Sequence, residues 1–167
     1  MRAWILSLAF AAIAAAAALP AQAADCTQPA EPKVDWQRCY VDGRDFTGHD
    51  FSGARLRETS FQRAKLERAN LTEVDGYRAR FISAAMAEVR LDRGVFAEAD
   101  FTKADLSKAS LKEADLRRAK FFRASLRGAD LTGAKTQGAD FLNADLSGAR
   151  WVDGSRICAE GSLGQCN

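Results

Sequence analysis

Four cysteines, one histidine and a recurring aspartate are the residues of this 167-residue chain with chemistry to offer. Cys26, Cys39, Cys158 and Cys166 fall two near each end, without the close spacing of a zinc site. His49 is the sole histidine, so no second imidazole can complete a metal or acid–base pair with it. It sits where the pattern described below expects an inward-facing small residue. Aspartates return at five-residue spacing, and some pairs must therefore lie at separations resembling those of glycosidase carboxylates. A repeat produces that coincidence by itself, and solvated corner residues account for it. Serine and threonine hydroxyls follow many large apolar residues, but no base stands ready to activate them. There is no glycine-rich phosphate loop. These residues predict neither catalysis nor a metal nor a cofactor.

The chain opens with Arg2, an apolar run from Ala3 to Leu19, and then Pro20 and Ala21-Gln22-Ala23. That order reads as a signal peptide over residues 1–23, cleaved after Ala23. A lipoprotein is not expected, because Asp25 precedes Cys26 where a small residue belongs. No other stretch is apolar enough to span a membrane. Export makes the four cysteines disulfide partners, in the periplasm or outside the cell. Cleavage removes one arginine from a chain of formal charge +2, leaving no general field for nucleic acid or anionic lipid.

Internal repetition organises everything else. From Ala99 the sequence runs A-D-F-T-K, A-D-L-S-K, A-S-L-K-E, A-D-L-R-R, A-K-F-F-R, A-S-L-R-G and A-D-L-T-G. Each unit has a small residue, a polar one, a large apolar centre and two mostly polar positions. The register holds from Val34 to Asp153, and every centre except Gly76 and Thr136 is apolar. A five-residue period fits neither a helix nor an ordinary strand. It suits a chain that turns a corner every five residues, with the centre and the residue two before it facing inward. Four sides would close a coil of 20 residues. The centres themselves reveal that longer period: Val41, Phe61, Phe81, Phe101, Phe121 and Phe141 share one column, and Gly76 and Thr136 share another. Charges two residues after the centre alternate along columns, as in Glu58, Arg78, Glu98, Arg118, in Arg68, Glu88, Lys108, and in Glu73, Arg93, Glu113. Neighbours across paired strands favour opposite charges.

The A-(D/N)-L-x-x pattern resembles the pentapeptide-repeat family over most of the mature chain. Near its ends, C-Y-V-D-G and W-V-D-G-S-R-I-C-A-E-G-S-L-G-Q-C are similar to the flanks of exported bacterial members. The resemblance implies an all-β fold, a right-handed quadrilateral parallel β-helix, here of about six coils. The best understood members mimic DNA and inhibit type II topoisomerases through an acidic surface. The repeat region here is slightly basic and the chain reads as exported, so that role is not expected.

The expected organisation is signal peptide 1–23, N-terminal cap 24–33, β-helix 34–153 and C-terminal cap 154–167. Caps are needed because a solenoid leaves unpaired backbone at both ends. Cys39 and Cys158 would lie about 25–30 Å apart, whereas a disulfide needs α-carbons within about 7 Å. Only Cys26–Cys39 and Cys158–Cys166 fit. The richest outward surface lies over the phenylalanine column, where Ile82, Phe122 and Leu142 follow their centres with Arg80, Lys103, Lys120 and Arg123 beside them. The expectation is an exported, non-catalytic scaffold whose partner is an unidentified protein or a second copy. The alternative is a passive structural or stress-protective spacer of the envelope.

Overall fold

The computed structural model describes residues 25–167, so the expected signal peptide over 1–23 lies outside the described residues. From Asp35 the chain makes one parallel β-bridge on every fifth residue, always to the residue 20 further on, from Asp35–Arg55 to Asp130–Arg150. Four bridges per 20-residue turn make a four-sided coil. The sides are named here by their first centres: Trp36 (side 1), Val41 (side 2), Phe46 (side 3) and Phe51 (side 4). The bridges are isolated and none extends into a longer strand, because the chain turns a corner before a second residue can pair.

The backbone hydrogen bonds of one unit explain its sequence. Take the unit centred on Phe101. Its N–H donates across to the Lys120 carbonyl at 2.8 Å, and Asp100 N–H donates back to Ala79 at 2.9 Å. Lys103 N–H reaches Phe122 at 2.9 Å, and Ala104 N–H closes the turn onto Phe101 at 3.0 Å. That leaves one donor, Thr102 N–H, which the Asp100 carboxylate accepts at 2.9 Å. The same aspartate bond serves Ser107, Thr132, Leu142 and Ser147. This is why aspartate precedes so many centres: it satisfies the one backbone donor the coil itself cannot. Where serine stands there instead, Asp42 and Asp92 reach up from the coil before and accept from Gln62 and Lys112.

Each corner also needs a left-handed residue two positions after the centre. Arg63, Arg68, Glu73 and Lys108 all have φ of 57° or 58°. Glycine fills this place at Gly43, Gly48, Gly128 and Gly133, without the steric cost borne by the others.

The interior is a prism of stacked centres with small residues between. Phe61, Phe81, Phe101 and Phe121 are fully buried, as are Leu66, Leu71 and Leu106, and alanines lie two before most centres. Along side 2 the rings from Phe61 to Phe141 lie stacked, with centroids 4.9–5.3 Å apart and planes within 8°. The glycine centre on side 1 has a specific reason. A Cβ on Gly76 would fall 2.7 Å from the Phe96 ring one coil on, and a Cβ on Gly94 would come closer still. Phe96 therefore fills the space left by two missing side chains.

The inward pattern fails at the first coil. Arg44 and His49 occupy inward positions, yet both are exposed. Trp36, Phe46 and Phe51 crowd this end with mutually tilted rings, so the longer polar side chains are displaced outward. The Arg44 guanidinium lies 5.1 Å from the Phe46 ring centre and 5.8 Å from that of Trp36, covering the open end.

Both expected disulfides are present. Cys26 and Cys39 have α-carbons 5.6 Å apart, and Cys158 and Cys166 are 4.8 Å apart. At the N-terminus, Lys33 N–H lies on the Ser52 carbonyl at 2.9 Å. At the C-terminus the chain reverses and runs antiparallel over sides 4 and 3, through bridges Arg150–Ile157 and Asp145–Leu163.

Two outcomes test this packing. Gly94→Ala should cost about 1–3 kcal/mol through overpacking against Phe96. Adding Phe96→Leu should then recover part of that loss, and strictly additive melting shifts would refute the shared-void account. Reducing the disulfides, which close loops of 13 and 8 residues, should release amide protection at 25–33 and 156–167 before the central coils. Uniform loss of protection in hydrogen exchange would contradict this.

Candidate functional site

Among the described residues His49 has no acid–base partner in reach. Its Nδ1 lies 3.3 Å from the Thr47 carbonyl and its ring stands edge-on to Phe46 at 5.9 Å. Among the described residues, no group of three or more histidines, cysteines, aspartates or glutamates could hold a metal ion. The recurring aspartates are committed to backbone amides, as described above. The bond from Thr47 N–H holds Asp45 below its ordinary pKa, the bond from Ser52 N–H does the same for Asp50, and the Arg117 side chain does so for Asp115. A general acid needs its pKa raised, so these carboxylates are perturbed in the wrong direction for that work.

The surface over the phenylalanine column does assemble. The coil register places Ile82, Thr102, Phe122 and Leu142 in successive layers, since Ser83, Lys103 and Arg123 N–H groups donate to Thr102, Phe122 and Leu142. The strip is less prominent than its residue types promise. Ile82 and Phe122 lie half-buried along the corner, while Leu142 is 58% exposed. The Arg123 guanidinium sits 5.1 Å from the Phe122 ring centre, shielding the ring rather than flanking it.

The expected basic rim is also modified. Arg80 and Lys120 are each backbone-bridged to Asp100, and Lys120 to Asp140, so charges alternate in sign along one rim, although no ion pair within 4.0 Å joins these four among the described residues. The column before it alternates too, and there the charges do pair. Arg78 meets Glu98 at 2.8 Å, Arg118 meets the same carboxylate at 3.8 Å, and Arg38 meets Glu58 at 3.4 Å. Arg93 pairs with Glu73 at 2.8 Å, whereas the Arg68, Glu88, Lys108 column forms no ion pair within 4.0 Å. Exposed pairs of this kind contribute less than about 1 kcal/mol each.

Sequence reasoning passed over the corner between sides 1 and 2. A shallow groove of about 670 Å³ runs there, lined by Arg78, Arg80, Glu98, Asp100, Arg118 and Lys120. Two tyrosines border the corner. Arg57 and Arg78 stand 4.6 and 4.9 Å from the Tyr77 ring centre, and Arg80 stands 5.5 Å from that of Tyr40. Arg80 reaches Tyr40 from two coils away because Ser60, between them, is small and buried. The columns Tyr40–Ser60–Arg80 and Arg57–Tyr77 were the available signal.

The sequence profile of pentapeptide repeats matches residues 37–73, 84–122 and 124–150 in eight copies. The first interruption contains Gly76, the centre whose space Phe96 fills. No curated protein matches the chain. Among solved structures, HetL from the cyanobacterium Nostoc sp. strain PCC 7120, a protein involved in heterocyst differentiation regulation, is 26% identical with a TM-score of 0.50, over 74% of each chain. Rfr23 from the cyanobacterium Cyanothece 51142 is 24% identical with a TM-score of 0.49, over 63% of this chain and 82% of its own. QnrB1, a plasmid-mediated fluoroquinolone resistance protein, is 23% identical with a TM-score of 0.44, over 70% of this chain and 63% of its own.

The carboxylates give the coil a measurable pH signature. Asp45, Asp50, Asp115 and Asp153 are all held below their ordinary value of 3.8. A depressed folded-state pKa contributes stability that is complete above the unfolded value and lost as pH falls through the folded one. Melting temperature should therefore stay level from pH 7 to 5 and fall between about pH 4 and 2. A melting curve unchanged at pH 2 would show that these bonds do not hold the corners.

Proposed function

The chain belongs to the pentapeptide-repeat family, and from that premise we propose an exported, non-catalytic scaffold of the bacterial envelope that contacts a protein through side 2. Members of the family adopt a right-handed quadrilateral β-helix and are generally structural or binding proteins without enzymatic activity. Export rests on the leader-like residues 1–23 and on the two end-closing disulfides, which suit an oxidising compartment. One observation carries the choice of side 2: the backbone register stacks Ile82, Phe122 and Leu142 without loop or insertion, giving a preorganised apolar strip. A surface already held in place loses little entropy on docking, and an aromatic beside an arginine is a common hot-spot composition.

The half-burial of Ile82 and Phe122 favours the second reading, a passive structural or stress-protective spacer with no specific ligand. The role of a DNA mimic fits least, because charges alternate along the columns instead of forming an acidic face. Phe122→Ser separates the first two readings. If side 2 is a contact surface, the change should weaken partner capture or lateral self-association roughly tenfold or more. The melting temperature should move little, since the phenyl group lies outside the prism. Capture from envelope extract, sedimentation and melting curves would be run on both proteins. Equal capture and equal sedimentation would leave the spacer.

A further inference from the structure

The C-terminal end of the coil is covered on two sides only. Over sides 3 and 4 the last coil is sealed by the returning tail: Leu146 N–H donates to Ser162 O at 2.9 Å, and Trp151 N–H to Arg156 O at 2.8 Å. Over sides 1 and 2 no described residue follows. The carbonyls of Ala134 and Ala139, and the amides of Thr136, Gly138, Phe141 and Asn143, have no hydrogen-bond partner among the described residues. In every earlier coil the equivalent groups are paired. Phe121 N–H, for example, donates to Asp140 O at 2.7 Å, and Asp140 N–H donates to Ala119 O at 2.9 Å. Thr136 and Phe141 are correspondingly only partly covered, although Leu116 and Phe121 one coil back are buried.

The tail offers the missing complement on its outer edge. Trp151 N–H bonds Arg156 O and Cys158 N–H bonds Ala149 O, so Ile157 between them directs its own N–H and carbonyl away from the coil. Leu163 is placed the same way by the bonds Leu146 to Ser162 and Gly164 to Ala144. Neither Ile157 nor Leu163 has a backbone partner among the described residues, and their side chains are 50% and 62% exposed. One residue presenting an N–H and a carbonyl outward is what each open side requires. The chain carries two such residues and two open sides.

We propose that two copies join end to end through their C-termini, each tail completing the uncovered half of the other. A two-fold axis perpendicular to the coil, through the corner between sides 2 and 3 and the corner between sides 4 and 1, sets side 2 of one copy over side 3 of its partner. It also sets side 1 over side 4. Phe141 N–H then donates to the carbonyl of the partner's Leu163, whose N–H donates to Ala139. Thr136 and Ala134 take the partner's Ile157 in the same manner. Reversal by the two-fold makes the partner's tail run parallel to the open sides, as successive coils do. Each tail is one layer deep and covers half the end, so the two fill a single shared layer without a step. Leu142 comes beside the partner's Leu163.

Head-to-tail stacking does not achieve this. At the N-terminal end Lys33 pairs with side 4 and the Arg44 guanidinium lies over the Trp36 and Phe46 rings, so a second copy could not close on that end without displacing it. This inference concerns the end of the prism and shares only Leu142 with the side 2 strip, so Phe122→Ser should leave it intact.

The test uses the mature, disulfide-intact chain in sedimentation over a concentration series, with amide exchange read at Thr136 and Phe141. The expected result is a dimer in which both amides gain protection as concentration rises. Leu163→Glu places an acid against the partner's Asp140 and should weaken the dimer about tenfold or more, whereas Leu163→Lys should retain it. Melting of the dilute variants checks that the tail remains folded. A monomer at every concentration would overturn the proposal. So would a dimer in which Thr136 and Phe141 exchange freely, or equal effects of the two Leu163 variants in folded protein.

Discussion

The left-handed turn residue is the constraint from which the rest of the structure follows. A φ near +57° two positions after each centre turns the chain through a corner and aims that residue's amide at the next coil. For arginine, glutamate or lysine this conformation costs roughly 1–2 kcal/mol. Each unit also makes three bonds between coils, each contributing about 1 kcal/mol net. The conformation therefore persists only because coils stack, and a single coil would not hold its shape. Cooperativity between neighbours is built into the backbone before any side chain is considered. Aspartate completes the arrangement by satisfying the one amide that the corner strands.

Much of this was legible in the sequence because repetition leaves its mark in composition. The five-residue register, the 20-residue column of phenylalanines and the pairing of the cysteines all depend on which residue types recur, and types are what a sequence displays. What could not be read depends on direction. Gly76 looks like a defect until Phe96 is seen leaning into its space, one coil on. His49 occupies an inward position by register, yet its ring lies outside because Phe46 and Phe51 already fill the narrow end. The tail from Ser155 carries no five-residue signal, so nothing in it announced an antiparallel return over two sides of four.

The candidate surface shows the same division. Register alone brings Ile82, Phe122 and Leu142 into one strip. The exposure of Ile82 and Phe122 was overestimated because these two residues lie along the corner instead of standing out from it, as Leu142 does. The basic rim changed for a related reason. Arg80 and Lys120 are neighbours in the selection of basic residues, but in space Asp100 stands between them. A surface with charges so interleaved has weak long-range fields and short-range specificity. Recognition by such a face would depend on matching a spacing, not on attracting a charge.

The square register has a consequence for how such a chain can change in length. Inserting one five-residue unit leaves every local bond intact but rotates all that follows by a quarter turn. Everything beyond the insertion would then meet the wrong side: the phenylalanine stack would break, Gly76 and Phe96 would part, and the tail would close over different corners. An insertion of 20 residues adds a full layer and moves nothing sideways. A change of length that keeps side-to-side alignment must therefore come in whole turns, and a tolerated five-residue insertion would mark a place where that alignment does not matter.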